Sequence, residues 1–304
     1  MKFLVVGHVC LDVIHPVDGP EVESYGGIYY AVATLASLSR SSDIVTPVFG
    51  VNKADYPALI EHLRRFPNVD TSGIYRFEEP TNRVHLYYKD HQNRIECSKD
   101  IAKPIPYEKI RRHLSVDGIL INMISGCDLT IETLDHIRLA VRSHNIPIHF
   151  DYHSLTLGVR ESHERFRRPV EDWRRWAFMD DTVQLNEEEI AGLSIEGLSE
   201  RQTAGHLLTL GVKGVVVTKS VRGVTLYHNE HKKILQEEFD GIKLESPVDA
   251  TGCGDVFGAA FLLHYTKTND LLASTEFANR VAAAKVQQIG VEGLKNLREA
   301  LVAA

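Results

Sequence analysis

The sequence predicts an α/β fold: a mainly parallel sheet flanked by helices on both faces, with a small β lid. Three observations carry the prediction. Short apolar runs of strand length alternate with segments of helical spacing along most of the chain. Several runs are apolar without interruption, as in 3–6 (FLVV) and 214–218 (GVVVT), which is how a strand covered on both faces reads. One stretch, 83–97, breaks the rhythm with alternating, β-rich residues on either side of a turn.

In chain order, the first strand is 3–6, ended by Gly7. Residues 28–39 are apolar nearly all round and predict a buried helix after the Gly26-Gly27 pair. A strand at 44–49 and a helix at 56–66 follow. The hairpin comes next: 83–89 alternate, 90–93 supply turn residues and 94–97 resume as a strand. The rhythm then returns with a strand at 118–123, a helix at 131–143, a strand at 147–151, a long charged helix near 161–176, and a strand at 182–185. A helix near 199–210 leads to the run at 214–218, and two short strands near 223–237 precede the glycine-rich segment 247–258. The remainder reads as mostly helical. No repeat, low-complexity tract or linker interrupts the chain, so 1–304 reads as a single domain whose lid is drawn from about 12–25 and 75–102.

Composition narrows the function classes. The chain is 43% hydrophobic and 25% charged, with 34 basic and 41 acidic residues for a net charge of −7. Binders of nucleic acid and of membrane surfaces concentrate positive charge, whereas the basic clusters here are short and mixed with acids, so neither partner is expected. The opening apolar run is shorter than the roughly 7–15 residues of a secretory core. No run approaches the roughly 20 apolar residues of a membrane-spanning helix. Cys10, Cys97, Cys127 and Cys253 form no C-x-x-C pair, and a reducing cytoplasm is the expected location.

The densest motif is PVDATGCGDVFGAAF at 247–261. Gly252 and Gly254 permit a tight turn that brings backbone N–H groups close to a ligand. The apolar segment from about Asp255 onward predicts a buried helix. A glycine turn feeding a helix N-terminus makes an anion site, because unpaired N–H groups and the positive dipole end share one spot. Asp255 at that terminus reads alone as an N-cap about as well as a base; capping gives no reason for the second acid, Asp249. No G-x-x-x-x-G-K-[ST] occurs, and G-x-G-x-x-G fails because Gly258 lies four residues after Gly254.

D-A-T-G-C-G-D resembles the D-T-x-G-A-G-D signature of the ribokinase (PfkB-type) carbohydrate kinase family. The resemblance implies that Asp255 is the catalytic base and that Gly252, Cys253 and Gly254 form the anion hole. Further segments match in the family's order. VVGHVCLD resembles its first strand and implies that Asp12 binds substrate hydroxyls. YGGIYYAVATLASL resembles its Gly-Gly signature and sets Gly26 and Gly27 in the substrate site, with Ala31 where many members place an Asn. LNEEEIAGL resembles N-x-x-E and implies nucleotide binding by Asn186 and placement of Mg²⁺ by Glu189 through water. VVVTKSVRG resembles T-x-G-x-x-G and assigns Thr218 and Gly223 to the nucleotide, with Ser220 in place of the first glycine. Asn279 falls on the family's adenine-side helix. In HFDYHSL, His149, Asp151 and His153 would share a strand face and could hold a metal; the family pattern D-x-N instead sets Asp151 near substrate or phosphates, with His153 replacing the Asn.

The expected function is therefore transfer of the γ-phosphate of ATP to a hydroxyl of a sugar or sugar-like small molecule, with Mg²⁺ required and K⁺ or another monovalent cation near Asp249 and the Gly290 loop. A nucleoside or polyol acceptor, and a catalytically silent sugar-binding protein, are the alternatives. Apolar lid strands suggest a homodimer through the lid.

Overall fold

The apolar runs pair into one nine-stranded sheet. The computed structural model describes residues 1–89, 94–194, 196–244, 248–288 and 290–303; the turn expected at 90–93 lies outside the described residues. From edge to edge the strands are Lys233–Asp240, Gly223–Glu230, Gly214–Thr218, Thr182–Asn186, Ile148–Asp151, Gly118–Asn122, Lys2–Val6, Ile44–Asn52 and Ile74–Phe77. All pairings from Gly214–Thr218 to Ile74–Phe77 are parallel, and the first two strands add an antiparallel hairpin. Phe3, Leu4, Val5, Ile119, Leu120 and Ile121 are fully buried, as uninterrupted apolar strands require.

Parallel pairing brings strand C-terminal ends together. Asn122 pairs in register with Asp151, Asp151 with Gln184, and Asn186 with Thr218. Polar residues thus collect along one sheet edge, where ligands of open α/β sheets bind. Two helices buried nearly all round, Ile28–Leu38 and Cys253–Thr268, pack against each other beside it.

A second sheet forms the predicted lid, in the order Val22–Gly27, Val9–His15, Arg83–Tyr88, Arg94–Lys99. The stretch 83–97 is no isolated hairpin, because Arg83–Tyr88 also pairs parallel with Val9–His15. Residues 75–77 do not belong to the lid. Ile74–Phe77 closes the edge of the large sheet, where Gly50 leaves room for the Phe77 and Tyr75 rings.

The long charged helix expected near 161–176 is absent. Leu157–Val159 and Arg165–Arg167 form an antiparallel ribbon, and only Trp173–Phe178 is helical. Pro169 bars a helix through this stretch, since it lacks the N–H and clashes with the preceding turn. The Arg165 guanidinium instead turns inward and donates to the Ser125 carbonyl at 2.7 Å. Among the described residues no helix is long and apolar enough to cross a membrane.

Candidate active site

The helix Cys253–Thr268 starts at Gly252, whose φ of 75° lies in the left-handed region. A side chain there would also strike the Tyr30 ring, about 2.4 Å from where its Cβ would stand, so glycine is required twice over. Gly252 is the N-cap, and no side chain caps this helix. Asp255 therefore lies in the first turn and is not the cap. Its Oδ1 accepts a 2.6 Å hydrogen bond from Asn122 Nδ2 at the end of the neighbouring strand. Burial pushes the Asp255 carboxyl above the usual carboxylate range, against the pull of His153 and the Asn122 hydrogen bond.

Gln184 ties the next strand to the same helix start, donating to the Gly254 carbonyl at 3.0 Å and to Asp151 Oδ2 at 3.3 Å. Burial likewise raises Asp151 well above its usual range, helped by the charges of Glu189 and Asp255. His153 sits among these acids with φ 33°, in a short 3₁₀ turn after the strand ends. Burial works to lower its imidazole, but Asp255, Asp151 and Glu189 outweigh it and hold it above the ordinary histidine range. The shared face proposed for His149, Asp151 and His153 thus ends at Asp151. His149 is a core residue bonded to Thr182, stacked on Phe261 and kept neutral by burial, which brings it down to about 4. Among the described residues no group of three or more His, Cys, Asp or Glu side chains could hold a metal ion.

The Cys253 N–H is turned to the Ala250 carbonyl at 3.3 Å, so it offers the nest less than the sequence motif implied. Asp249 holds the loop together. Its Oδ1 accepts from the Thr251 N–H at 2.8 Å, and its Oδ2 from the Gly290 N–H at 2.8 Å and from Lys285 Nζ at 2.9 Å. Burial acts upward on its carboxyl, yet these donors hold it below its usual range. The Lys285 ammonium thus lies against Asp249, near where the family resemblance expects a monovalent cation.

On the lid side, the Asp12 carboxylate lies against the Cα of Gly26, at 2.1–2.4 Å from where a Cβ would stand, and any other residue at 26 would displace it. The Cys10 thiol donates to Asp12 Oδ1 at 3.2 Å. Gly27 is the N-cap of Ile28–Leu38, with Tyr30 in its first turn. The Tyr30 phenol is pushed up by burial first, then by the negative charges of Asp12, Asp249 and Asp255.

Three clefts join along this edge. One, under the lid, is lined by Ile14, Val22, Tyr25, Tyr30, His62 and Tyr88 and reaches the loop 248–251. The second holds Asp151, His153, Glu189 and the segment 248–255. The third takes Asn186, Thr218, Gly223, Phe257 and Asn279. Tyr88, Asp249 and Thr251 border the first two, while Asn186, Thr218 and Gly254 border the last two.

The remaining sequence-derived residues fall as follows. Asn186 caps Glu187–Gly192 through a capping box: its Oδ1 accepts from the Glu189 N–H at 2.9 Å, and Glu189 Oε2 accepts from the Asn186 N–H at 2.8 Å. Asn186 Nδ2 donates to Glu189 Oε1 at 2.7 Å, so both oxygens of that carboxylate are engaged. Ser220 adopts φ 53°, the left-handed conformation that favours glycine, at the position where the resemblance expects one. Lys219 pairs with Glu200 at 3.0 Å. Asn279 donates to the Asp240 carbonyl at 2.9 Å on the wall of the third cleft. Sequence reasoning missed Asn122, Gln184, Tyr30 and Lys285. The signal for three of them was a polar residue inside an apolar run: GILIN, TVQLN and VAAAKV.

Residues 167–296 match the family model described as pfkB family carbohydrate kinase. A cytidine kinase of Thermococcus kodakarensis is 26% identical over 284 residues, covering 89% of this chain and 91% of that protein. A ribokinase of Bacillus subtilis is 26% identical over 238 residues, covering 74% and 71%. The crystal structure of a ribokinase from Thermotoga maritima superposes with a TM-score of 0.78 at 20% identity, over 100% of this chain and 99% of that one. The fold is accordingly the ribokinase fold, and over residues 167–296 the chain is similar to the pfkB family of carbohydrate kinases.

Proposed function

We propose that the chain transfers the γ-phosphoryl group of ATP to a hydroxyl of a sugar-like small molecule, with Asp255 as the general base. One observation carries the reading. Asp255 is a buried carboxylate at the start of a helix that it does not cap, held by Asn122 on the wall of the second cleft beside the glycine loop. A carboxylate so placed can take the acceptor's proton while the Gly252 and Gly254 amides and the helix dipole receive charge developing on the phosphoryl oxygens. The third cleft then seats the nucleoside of ATP, with Thr218, Gly223, Asn186 and Asn279 on its walls. Asp12, Gly26 and Gly27 shape the acceptor side, and lid closure excludes water.

Mg²⁺ suits the second cleft on the chemistry of its donors. Asp151, Glu189 and Asp255 line it as separate buried carboxyl oxygens that do not converge into a closed metal cage, so the ion would be held mainly by the nucleotide's phosphates and water, with His153 among the acids as a counter-charge. Glu189, already bonded twice to Asn186, would reach the ion through water. Mg²⁺ held there would supply positive charge to offset that of the nucleotide's phosphates.

The acceptor side favours a second reading within the same chemistry. Its cleft, about 890 Å³, is walled by Tyr25, Tyr30, Tyr88 and His62, with Ile14 and Val22 beside them. Tyr25 stacks on Tyr29 at 5.5 Å and meets His62 edge-on at 4.8 Å. Ala31, fully buried, offers no amide to a hydroxyl. An aromatic wall without that amide suits a nucleoside, whose base stacks, better than a bare pentose. Product analysis with ATP, Mg²⁺ and a panel of sugars, sugar phosphates, polyols and nucleosides tests both. Phosphate transfer to none of them, with ATP bound, sinks the kinase reading; a bare sugar as preferred acceptor sinks the nucleoside one.

A further inference from the structure

The family resemblance sets a monovalent cation between Asp249 and the Gly290 loop, and the residues present do not leave it that place. Lys285, near the end of the helix Leu271–Val286, is fully buried. Its Nζ donates to Asp249 Oδ2 at 2.9 Å, to the Asp249 carbonyl at 2.9 Å and to the Gln288 carbonyl at 3.4 Å. An ammonium has three N–H donors and no acceptor, and three oxygens lie on it. The face of Tyr30 stands 5.7 Å away on another side. One carboxylate and two backbone carbonyls on the edge of a turn are oxygen ligands of the kind a hard monovalent cation takes.

We propose that the Lys285 ammonium is a resident substitute for that cation, and that the protein needs no free monovalent cation to order its glycine loop. The loop's anchoring agrees. Val248 and Asp249 both donate backbone N–H groups to the Val286 carbonyl, at 2.9 and 3.0 Å, one residue beyond Lys285. Asp249 is three residues before Gly252, so whatever neutralises Asp249 also sets the start of the nest. A half-buried carboxylate left without its positive partner would lose a charge-assisted hydrogen bond and be disfavoured. A tethered ammonium supplies the charge whatever the salt outside.

The inference rests on the kinase reading only in calling the loop the phosphoryl seat, and its test has an arm that needs no catalysis. Thermal unfolding of the wild type, Lys285→Ala and Lys285→Met is followed at constant ionic strength in tetramethylammonium chloride, then with K⁺, Na⁺ or methylammonium replacing it. The wild type should melt alike in all four salts. Lys285→Ala, with the site vacated, should melt lower and be restored selectively by K⁺ or methylammonium, since a ligand of the native state stabilises it by mass action. Lys285→Met, which fills the space without charge, should gain nothing. ATP affinity by calorimetry should be salt-independent in the wild type, and in Lys285→Ala about 5–150-fold weaker without K⁺ than with it.

A wild type whose melting point or ATP affinity rises with K⁺ overturns the proposal. So does a folded Lys285→Ala indifferent to both cations, which would make Lys285 a plain structural pin. If Lys285→Ala does not fold, the wild-type salt series decides alone. A protein that shows the expected salt pattern yet binds no ATP upholds the substitution and removes the kinase reading instead.

Discussion

Two helix starts border the second cleft, each with a carboxylate in its first turn, and they spend those carboxylates differently. At Glu187–Gly192 the N-cap is Asn186, and both oxygens of Glu189 accept from that one residue. At Cys253–Thr268 the N-cap is Gly252, which has no side chain, and Asp255 accepts from Asn122 on a different strand. Glu189 satisfies local backbone donors that any helix start must satisfy. Asp255 does not serve as its helix's cap, and it is buried where burial favours its protonated form. A carboxylate kept at that cost without a capping duty is a candidate for chemistry.

The largest expected effect separates the two helix starts. Asp255→Asn keeps size and the Gly252 cap but removes the proposed base, and turnover should fall about 10²–10⁴-fold. Nucleotide affinity by calorimetry should persist, since the amides remain and a negative charge near the phosphates is gone. Near-normal turnover with ATP bound would return Asp255 to structure alone.

A smaller effect comes from Asn122. Its hydrogen bond draws the Asp255 carboxyl down while burial, the larger influence, raises it. A carboxyl acting as base works only when ionised, so if Asp255 is that base, turnover should fall as pH drops through a value above the ordinary carboxylate range. Asn122→Leu removes the downward pull and should move that acid limb to higher pH. At neutral pH and above the rate should recover toward wild type. An unmoved limb in a folded variant would mean that another group sets it.

The same contrast shows what could be read from residues in a row. The sheet was legible because a strand covered on both faces must be apolar throughout, and the glycine motif was legible because turn, anion nest and acid lie within a few residues. The supports of Asp255 were not. Asn122 reaches it from a strand 133 residues away in sequence, and Gln184 reaches the neighbouring Gly254 carbonyl from one 70 residues away, and only parallel pairing sets those strand ends side by side. Nothing in the run VAAAKV itself points from Lys285 to its partner Asp249, which lies 36 residues earlier in the chain. The charged stretch 161–176 misled because its Arg residues suit a solvated helix, whereas Pro169 and the inward turn of Arg165 favour a ribbon.

The smallest expected effect tests the other helix start. Glu189→Ala removes both acceptors facing Asn186, and losing such a box should cost about 0.5–2 kcal/mol, read as a lower melting point. That loss follows from capping whatever else Glu189 does. The Mg²⁺ titration is the sharper measurement. If Glu189 also holds a water on the metal, the Mg²⁺ concentration for half-maximal rate should rise, and Glu189→Gln should raise it too while keeping one acceptor for the Asn186 N–H and hence most of the stability. If the carboxylate is spent on Asn186 alone, both variants should show the wild-type Mg²⁺ requirement and differ only in melting point. Burial raises the Glu189 carboxyl, with His153 and the Asn186 N–H pulling it down. Any metal-related loss should therefore grow as pH falls and the acid protonates, whereas a pure capping loss would leave the Mg²⁺ requirement the same at every pH.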